Sequence, residues 1–304
     1  MPAAVSPARY TLVALVWSTL WASSFIAIKI ALRDAPPLFT MGSRFLVAGG
    51  VMLAFARLRG DRLPASARDW APIALMGLLT NALYLGLTSL ALQRISAGMG
   101  AVLASTSPLL LALVAPWCLG ERLTPLKGAG LVLSFSGVAF VMWNRLGEDN
   151  PLDAMVAFLA CVGFMVAGTV VFKRTRFRHP LLVVNAGQAL VGGLALVVPT
   201  LVFESLADVR VTRAFLLAQA YLVVVMAGAA MFLWLWLLSK GDATRASAWF
   251  FLNPVLGLCM GAAVLGEPLG WRELAGTAAV ALGIHVVQRT SAPFLDTLRG
   301  RGAS

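Results

Sequence analysis

Apolar positions along this chain come in long runs, broken by short clusters of Arg, Pro, Gly and Asp. Ten runs stand out, at approximately 10–31, 38–57, 70–92, 96–118, 126–143, 153–173, 180–203, 213–238, 243–265 and 271–288. Each comes close to the roughly 20 mainly apolar residues that a helix needs to cross a bilayer. The pattern predicts an all-α polytopic membrane protein with ten transmembrane helices. The first run, LVALVWSTLWASSFIAIKIAL, carries no A-x-A-like cleavage site after a short apolar core, so it reads as a retained helix and not as a secretory leader.

One pattern occurs twice. PLLLALVAPWCLGERLTPLKGAG begins at Pro108 and PVLGLCMGAAVLGEPLGWRELAG at Pro254, and their matched letters (P, LGE, L and AG) lie 146 positions apart. Ten spans split by a duplication give five per copy. Five is odd, so the second copy enters the membrane from the opposite side. The expected organisation is two inverted five-helix repeats, 1–146 and 147–288, followed by a basic tail over 289–304. LGE itself reads as a helix end, with Gly stopping one helix and Glu near the positive start of another. Gly130, Gly137, Gly276 and Gly283 read as close-packing positions between helices.

Composition agrees with the periodicity: 60% of the 304 residues are hydrophobic, 12% are charged, and the mean hydropathy is +0.85. The net charge of +11 has no basic helix or aromatic RNA-binding motif behind it, so no nucleic-acid partner is expected. The positive-inside rule accounts for it better. Alternate loops hold most of the lysines and arginines, among them Arg57, Arg59, Arg62, Arg68, Lys173, Arg174, Arg176 and Arg178, which places both termini in the cytoplasm. On this reading the first LGE is cytoplasmic and the second external. Cys118, Cys161 and Cys259 lie within spans without metal-ligand spacing, and there is no P-loop, so neither a metal nor another cofactor is expected. With one intramembrane histidine, His285, and no paired carboxylates at depth, an intramembrane enzyme is not expected either.

Pro108 and Pro254 each lie about ten to twelve residues into a span, or about 15–18 Å from the entry surface. Both therefore sit near the midplane. Each proline removes a donor to the carbonyl four residues earlier, that of Ala104 or Phe250. Ser105, Thr106 and Ser107 precede one proline, and Asn253 precedes the other. Two readings stay open: a kink healed by local hydroxyls, or half-broken helices that offer polar groups to a ligand.

These features, two five-helix copies with S/T/N-P in the fourth helix followed by LGE-x-L and then AG, resemble the EamA-type family of the drug/metabolite transporter superfamily over about residues 10–288. The resemblance implies a carrier of the bacterial-type inner membrane with a cavity between its halves. Such carriers often export amino acids or other small metabolites. Small amphipathic cargo is the expectation, large neutral or aromatic amino acids above all, with a multidrug or nucleotide-sugar carrier as the alternative. A nucleotide sugar would favour several inward cations, and only Arg44 qualifies.

Candidate cargo-lining residues follow from position. Gly77, Asn81, Tyr84 and Thr88 share one helical face of the third span. Trp17, Trp21 and Ser24 share a stripe of the first, and Trp249 and Asn253 share the ninth span. Arg44, about six residues into the second span, either clamps Asp34 or backbone carbonyls or binds a substrate carboxylate. Asn185 and Gln188 read as interhelical glue. No Asp or Glu lies near the middle of any span, which favours movement down the cargo's own gradient over ion coupling.

Overall fold

The structure, a computed structural model, describes residues 6–142, 151–175, 177–265 and 271–290. Among them all regular structure is helical, a short 3₁₀ turn at Leu206–Asp208 and ten longer stretches: α1 (Pro7–Ala31), α2 (Pro37–Leu58), α3 (Ala67–Arg94), α4 (Ala97–Ala104 and Ser107–Leu119), α5 (Pro125–Met142), α6 (Leu152–Arg174), α7 (Leu181–Phe203), α8 (Arg213–Lys240), α9 (Ala243–Ser247, Ala248–Phe251 and Leu252–Leu265) and α10 (Trp271–Thr290). Seven of these, α1 to α4 and α6 to α8, are long and apolar enough to cross a membrane. The ends fall within a few residues of the apolar runs. Large apolar side chains such as Val51, Phe55, Val198, Leu201 and Phe203 remain exposed, as lipid-facing positions would. The second LGE, except Leu265, and the basic tail lie outside the described residues.

Local chemistry sets the helix starts. Ser6, Ser66, Ser96 and Thr212 each accept a backbone N–H two or three residues into the helix that follows. Two other helices are capped from elsewhere in the chain. The Glu204 carboxylate, at the end of α7, accepts the Leu38 and Phe39 N–H groups of α2, both at 2.7 Å. Glu121, at the end of α4, accepts from Ala243 N at 2.5 Å and Thr244 N at 3.1 Å at the start of α9. In each case a carboxylate meets the positive end of a helix dipole. The helix-end reading of the first LGE holds: Gly120 has φ +66° in the left-handed region, and the chain turns there.

Glycines bring two helix pairs into close contact. α2 packs along α7, where a Cβ on Gly49 would meet Leu190 N at 2.7 Å and one on Gly193 would meet Leu46 N at 2.8 Å. α5 packs along α10, where a Cβ on Gly130 would meet Gly283 O at 2.9 Å and one on Gly137 would meet Gly276 O at 2.8 Å. In both pairs residue numbers rise on one helix as they fall on the other, so the helices run antiparallel. The α5/α10 crossing is also self-complementary in the sequence repeat. Ser134 Oγ donates to Val280 O, 146 positions away, while Gly130 and Gly137 each face the other's copy. Gly137→Leu should lower thermal stability by about 1–3 kcal/mol, because backbone and not a flexible side chain blocks the new atoms. Gly128→Leu, with open space at its Cβ, is the control and should leave Tm nearly unchanged.

Four of the long helices are interrupted. α3 is π-helical over Gly77–Gly86 and α8 over Leu222–Ala230, positions that correspond in the two copies. π turns inside α-helices are rare and gather at functional sites. α4 breaks at Ser105 and Thr106, and α9 tightens into a 3₁₀ turn over Ala248–Phe251. Each interruption directly precedes one of the prolines, Pro108 or Pro254.

Candidate functional site

The candidate site lies between α1, α2, α3 and α8. Trp21, Ser24 and Ile28 come from α1, Arg44 and Phe45 from α2, Leu85 from the π segment of α3, and Met226, Ala227 and Met231 from α8. They line a cavity of about 20 Å³, room for about one water. The walls are apolar, aromatic and thioether surface with two polar side chains, Ser24 and Arg44. Ser24 Oγ donates to Trp21 O at 2.6 Å within its own helix.

Arg44 is the unusual group. It is 3% exposed, too buried to snorkel to a headgroup. Its Nε and Nη1 have no hydrogen-bond partner, and no carboxylate among the described residues lies within ion-pair distance. The Asp34 clamp is not formed. Asp34 instead accepts from Thr212 Oγ1 at 2.5 Å, and its carbonyl from Arg210 N at 2.6 Å, because the loop before α8 folds over it. The guanidinium lies over the Phe45 ring, 4.4 Å from its centroid.

An aromatic cluster backs the cavity. Trp17 stacks on Trp234 at 5.0 Å and meets Phe250 edge-on at 4.7 Å, while Trp21 meets Phe250 at 5.5 Å. Trp17 is fully buried in this cluster and does not line the cavity. Its Nε1 and that of Trp249 have no partner.

The remaining candidates divide. On α3, Asn81, Tyr84 and Thr88 are buried, yet Asn81 Nδ2 donates to Gln188 O of α7 at 2.9 Å and Thr88 Oγ1 to Tyr84 O at 2.7 Å. The cavity receives Leu85 from α3 instead. π winding, with its i→i+5 bonds, displaces the face that α-helical spacing would align. At the breaks, Ser105 Oγ and Thr106 Oγ1 donate to Val102 O and Leu103 O, and Ser18 Oγ of α1 donates to Trp249 O at 3.2 Å. Phe250 O accepts from Leu252 N. Local hydroxyls and backbone thus take up much of what the prolines disturb. Ser107 Oγ and both polar atoms of Asn253 are buried without a partner at matching positions of the two copies. Asn185 behaves as interhelical glue, donating to Ala227 O of α8 at 2.9 Å, and Gln188 Nε2 donates to Asn185 Oδ1 at 3.0 Å. His285 is exposed.

One end of the bundle is tied by charge. Lys127, 2% exposed, pairs with Glu121 at 3.9 Å and Asp242 at 3.7 Å, linking the end of α4, the first turn of α5 and the loop before α9. Lys173 Nζ donates to Leu238 O and Gly241 O at the end of α8. Burial first, then Glu121, holds the Asp242 carboxyl above the usual carboxylate range, against the opposing pull of Lys127. A carboxyl raised in the folded state contributes stability that is fully present below its unfolded pKa and is lost as pH rises through the folded one. Asp242→Asn should therefore raise Tm at neutral pH, with the gain over wild type vanishing towards about pH 4. Thermal unfolding across that range checks it, and a gain independent of pH would contradict it.

Comparison with known proteins gives concordant matches. The EamA-like transporter family matches residues 8–143 and again residues 153–289. "Uncharacterized transporter YoaV" of Bacillus subtilis is 23% identical over 278 residues, covering 90% of this chain and 93% of the relative. "Uncharacterized inner membrane transporter YedA" of Escherichia coli K12 is 27% identical over 270 residues, covering 88% and 85%. A solved crystal structure shares the fold with a TM-score of 0.77 at 22% identity, covering 94% of this chain and 99% of its own.

Proposed function

We propose, from the premise that this chain belongs to the EamA-like transporter family, that it carries small amphipathic metabolites, most readily large neutral or aromatic amino acids, through the cavity between α1, α2, α3 and α8. That it is a multi-pass membrane transporter follows from the family itself. The cargo class rests on the cavity: Trp21, Phe45, Met226 and Met231 offer an apolar, polarisable wall, with Arg44 and Ser24 as the polar groups.

In this reading ten spans form two inverted five-helix repeats, with both termini cytoplasmic, in a bacterial-type inner membrane. The antiparallel, self-complementary α5/α10 crossing and the paired π segments of α3 and α8 support it. The halves rock about the midplane and expose the cavity to each side in turn, moving cargo outward down its own gradient. Ser107 and Asn253, unpartnered beside the two prolines, are placed to meet cargo as the broken helices shift. A nucleotide-sugar cargo fits less well, since a diphosphate needs several inward cations and the cavity holds one.

Two measurements test the reading. Reconstituted protein should show saturable counterflow of radiolabelled phenylalanine or leucine, reduced at least tenfold by Trp21→Ala. No counterflow across a panel of amino acids removes the cargo class. Residues 119–121 and 265–267 should react with impermeant reagents from opposite sides of the membrane, and labelling from one side removes the inverted repeat.

A further inference from the structure

We infer that this transporter selects its cargo by a carboxylate, through Arg44, and does not require an amino group. The inference rests on the cavity assignment above and narrows what it admits. Arg44 brings a fixed positive charge to the cavity, and its Nε and Nη1 have no partner among the described residues. A guanidinium presents its donors as a planar fork that matches a carboxylate. An unpaired charge at this depth is costly, and a monoanionic cargo removes that cost on binding.

The amino group finds no such receptor. The cavity lining includes no Asp or Glu. Of the carbonyls that the prolines release, Phe250 O accepts from Leu252 N, and neither it nor Ala104 lines the cavity; their neighbours Trp249 O, Val102 O and Leu103 O are engaged by Ser18, Ser105 and Thr106. The Phe45 ring, a cation–π surface, is covered by Arg44 itself. A cationic amine entering here meets a like charge with no counter-ion. Cationic drugs are therefore excluded, while amino acids and aromatic or branched monocarboxylates share the site.

The test is competition against counterflow of radiolabelled L-phenylalanine in proteoliposomes holding the full chain. 3-Phenylpropionate, which lacks the amino group, should inhibit within about threefold of unlabelled phenylalanine, and phenethylamine, which lacks the carboxylate, should not inhibit. Arg44→Gln should weaken 3-phenylpropionate binding at least about 30-fold, as loss of one partner of a buried charge pair does. Arg44→Lys, which keeps the charge without the fork, should lie between. The wild-type competition series needs no variant to fold. If phenethylamine inhibits and 3-phenylpropionate does not, carboxylate selection is overturned while the amino-acid carrier stands. If phenylalanine is not carried but labelled 3-phenylpropionate is, by wild type and not by Arg44→Gln, the amino-acid reading fails and carboxylate selection stands. If neither compound moves, both fail.

Discussion

Replacing Arg44 with Met yields a protein that is more heat-stable in detergent than wild type and no longer transports. The two effects share one cause. Arg44 is 3% exposed with two guanidinium nitrogens that bond to nothing among the described residues, and an Arg within a span costs up to about 2.5–3.5 kcal/mol, the insertion-scale value for a helix centre. Met fills similar space beside Met226 and Met231 without the charge. A residue retained at such a cost to stability is the pattern expected of a binding group. Cargo should in turn stabilise wild type by supplying the missing anion and leave Arg44→Met unmoved. A variant that is both less stable and still active would assign Arg44 a packing role.

Glu121→Ala has the opposite consequence. The carboxylate holds two N–H groups at the start of α9, the Thr244 hydroxyl at 2.7 Å, and Lys127 at 3.9 Å. Its removal uncaps α9 and leaves the buried Lys127 with one carboxylate partner, Asp242 at 3.7 Å, whose own charge burial disfavours. Breaking a buried pair from one side costs about 3–5 kcal/mol. Glu204→Ala, which removes two backbone caps on α2 and no ion pair, should cost about 0.5–2 kcal/mol. Thermal denaturation of the two variants side by side gives the comparison, and equal losses would show that the Lys127 pairing contributes nothing.

Much of this architecture was legible because lipid makes periodicity simple: the ten apolar runs fall on helical stretches, seven of them long and apolar enough to cross a membrane. Pro108 and Pro254 located the breaks in α4 and α9, since a missing N–H acts locally. Gly120 marked a turn because glycine, without a Cβ, takes the left-handed φ of +66° that ends the helix. The contents of the cavity were less legible. Trp21, Ser24 and Arg44 carried a polar or aromatic signal, whereas Met226, Met231, Ile28 and Leu85 are ordinary apolar letters whose inward direction depends on π segments that no residue type announces. Asn81 and Tyr84, on the π-wound stretch, Thr88, just past it, and Trp17, in a cluster with Trp234 and Phe250, are buried but do not line this cavity. Glu204 gave no sign that it would cap a helix 166 positions away. Long-range partners are set by tertiary packing, and one sequence does not record them.

The central claim is that cargo occupies the space between Trp21, Ser24 and Arg44. The most direct measurement is the rate at which N-ethylmaleimide modifies a single cysteine, Ser24→Cys, in protein whose Cys118, Cys161 and Cys259 are alanine. Saturating phenylalanine or 3-phenylpropionate should slow that reaction several-fold, and the protection should disappear when Arg44→Gln is added. Equal rates with and without both compounds would place the cargo elsewhere.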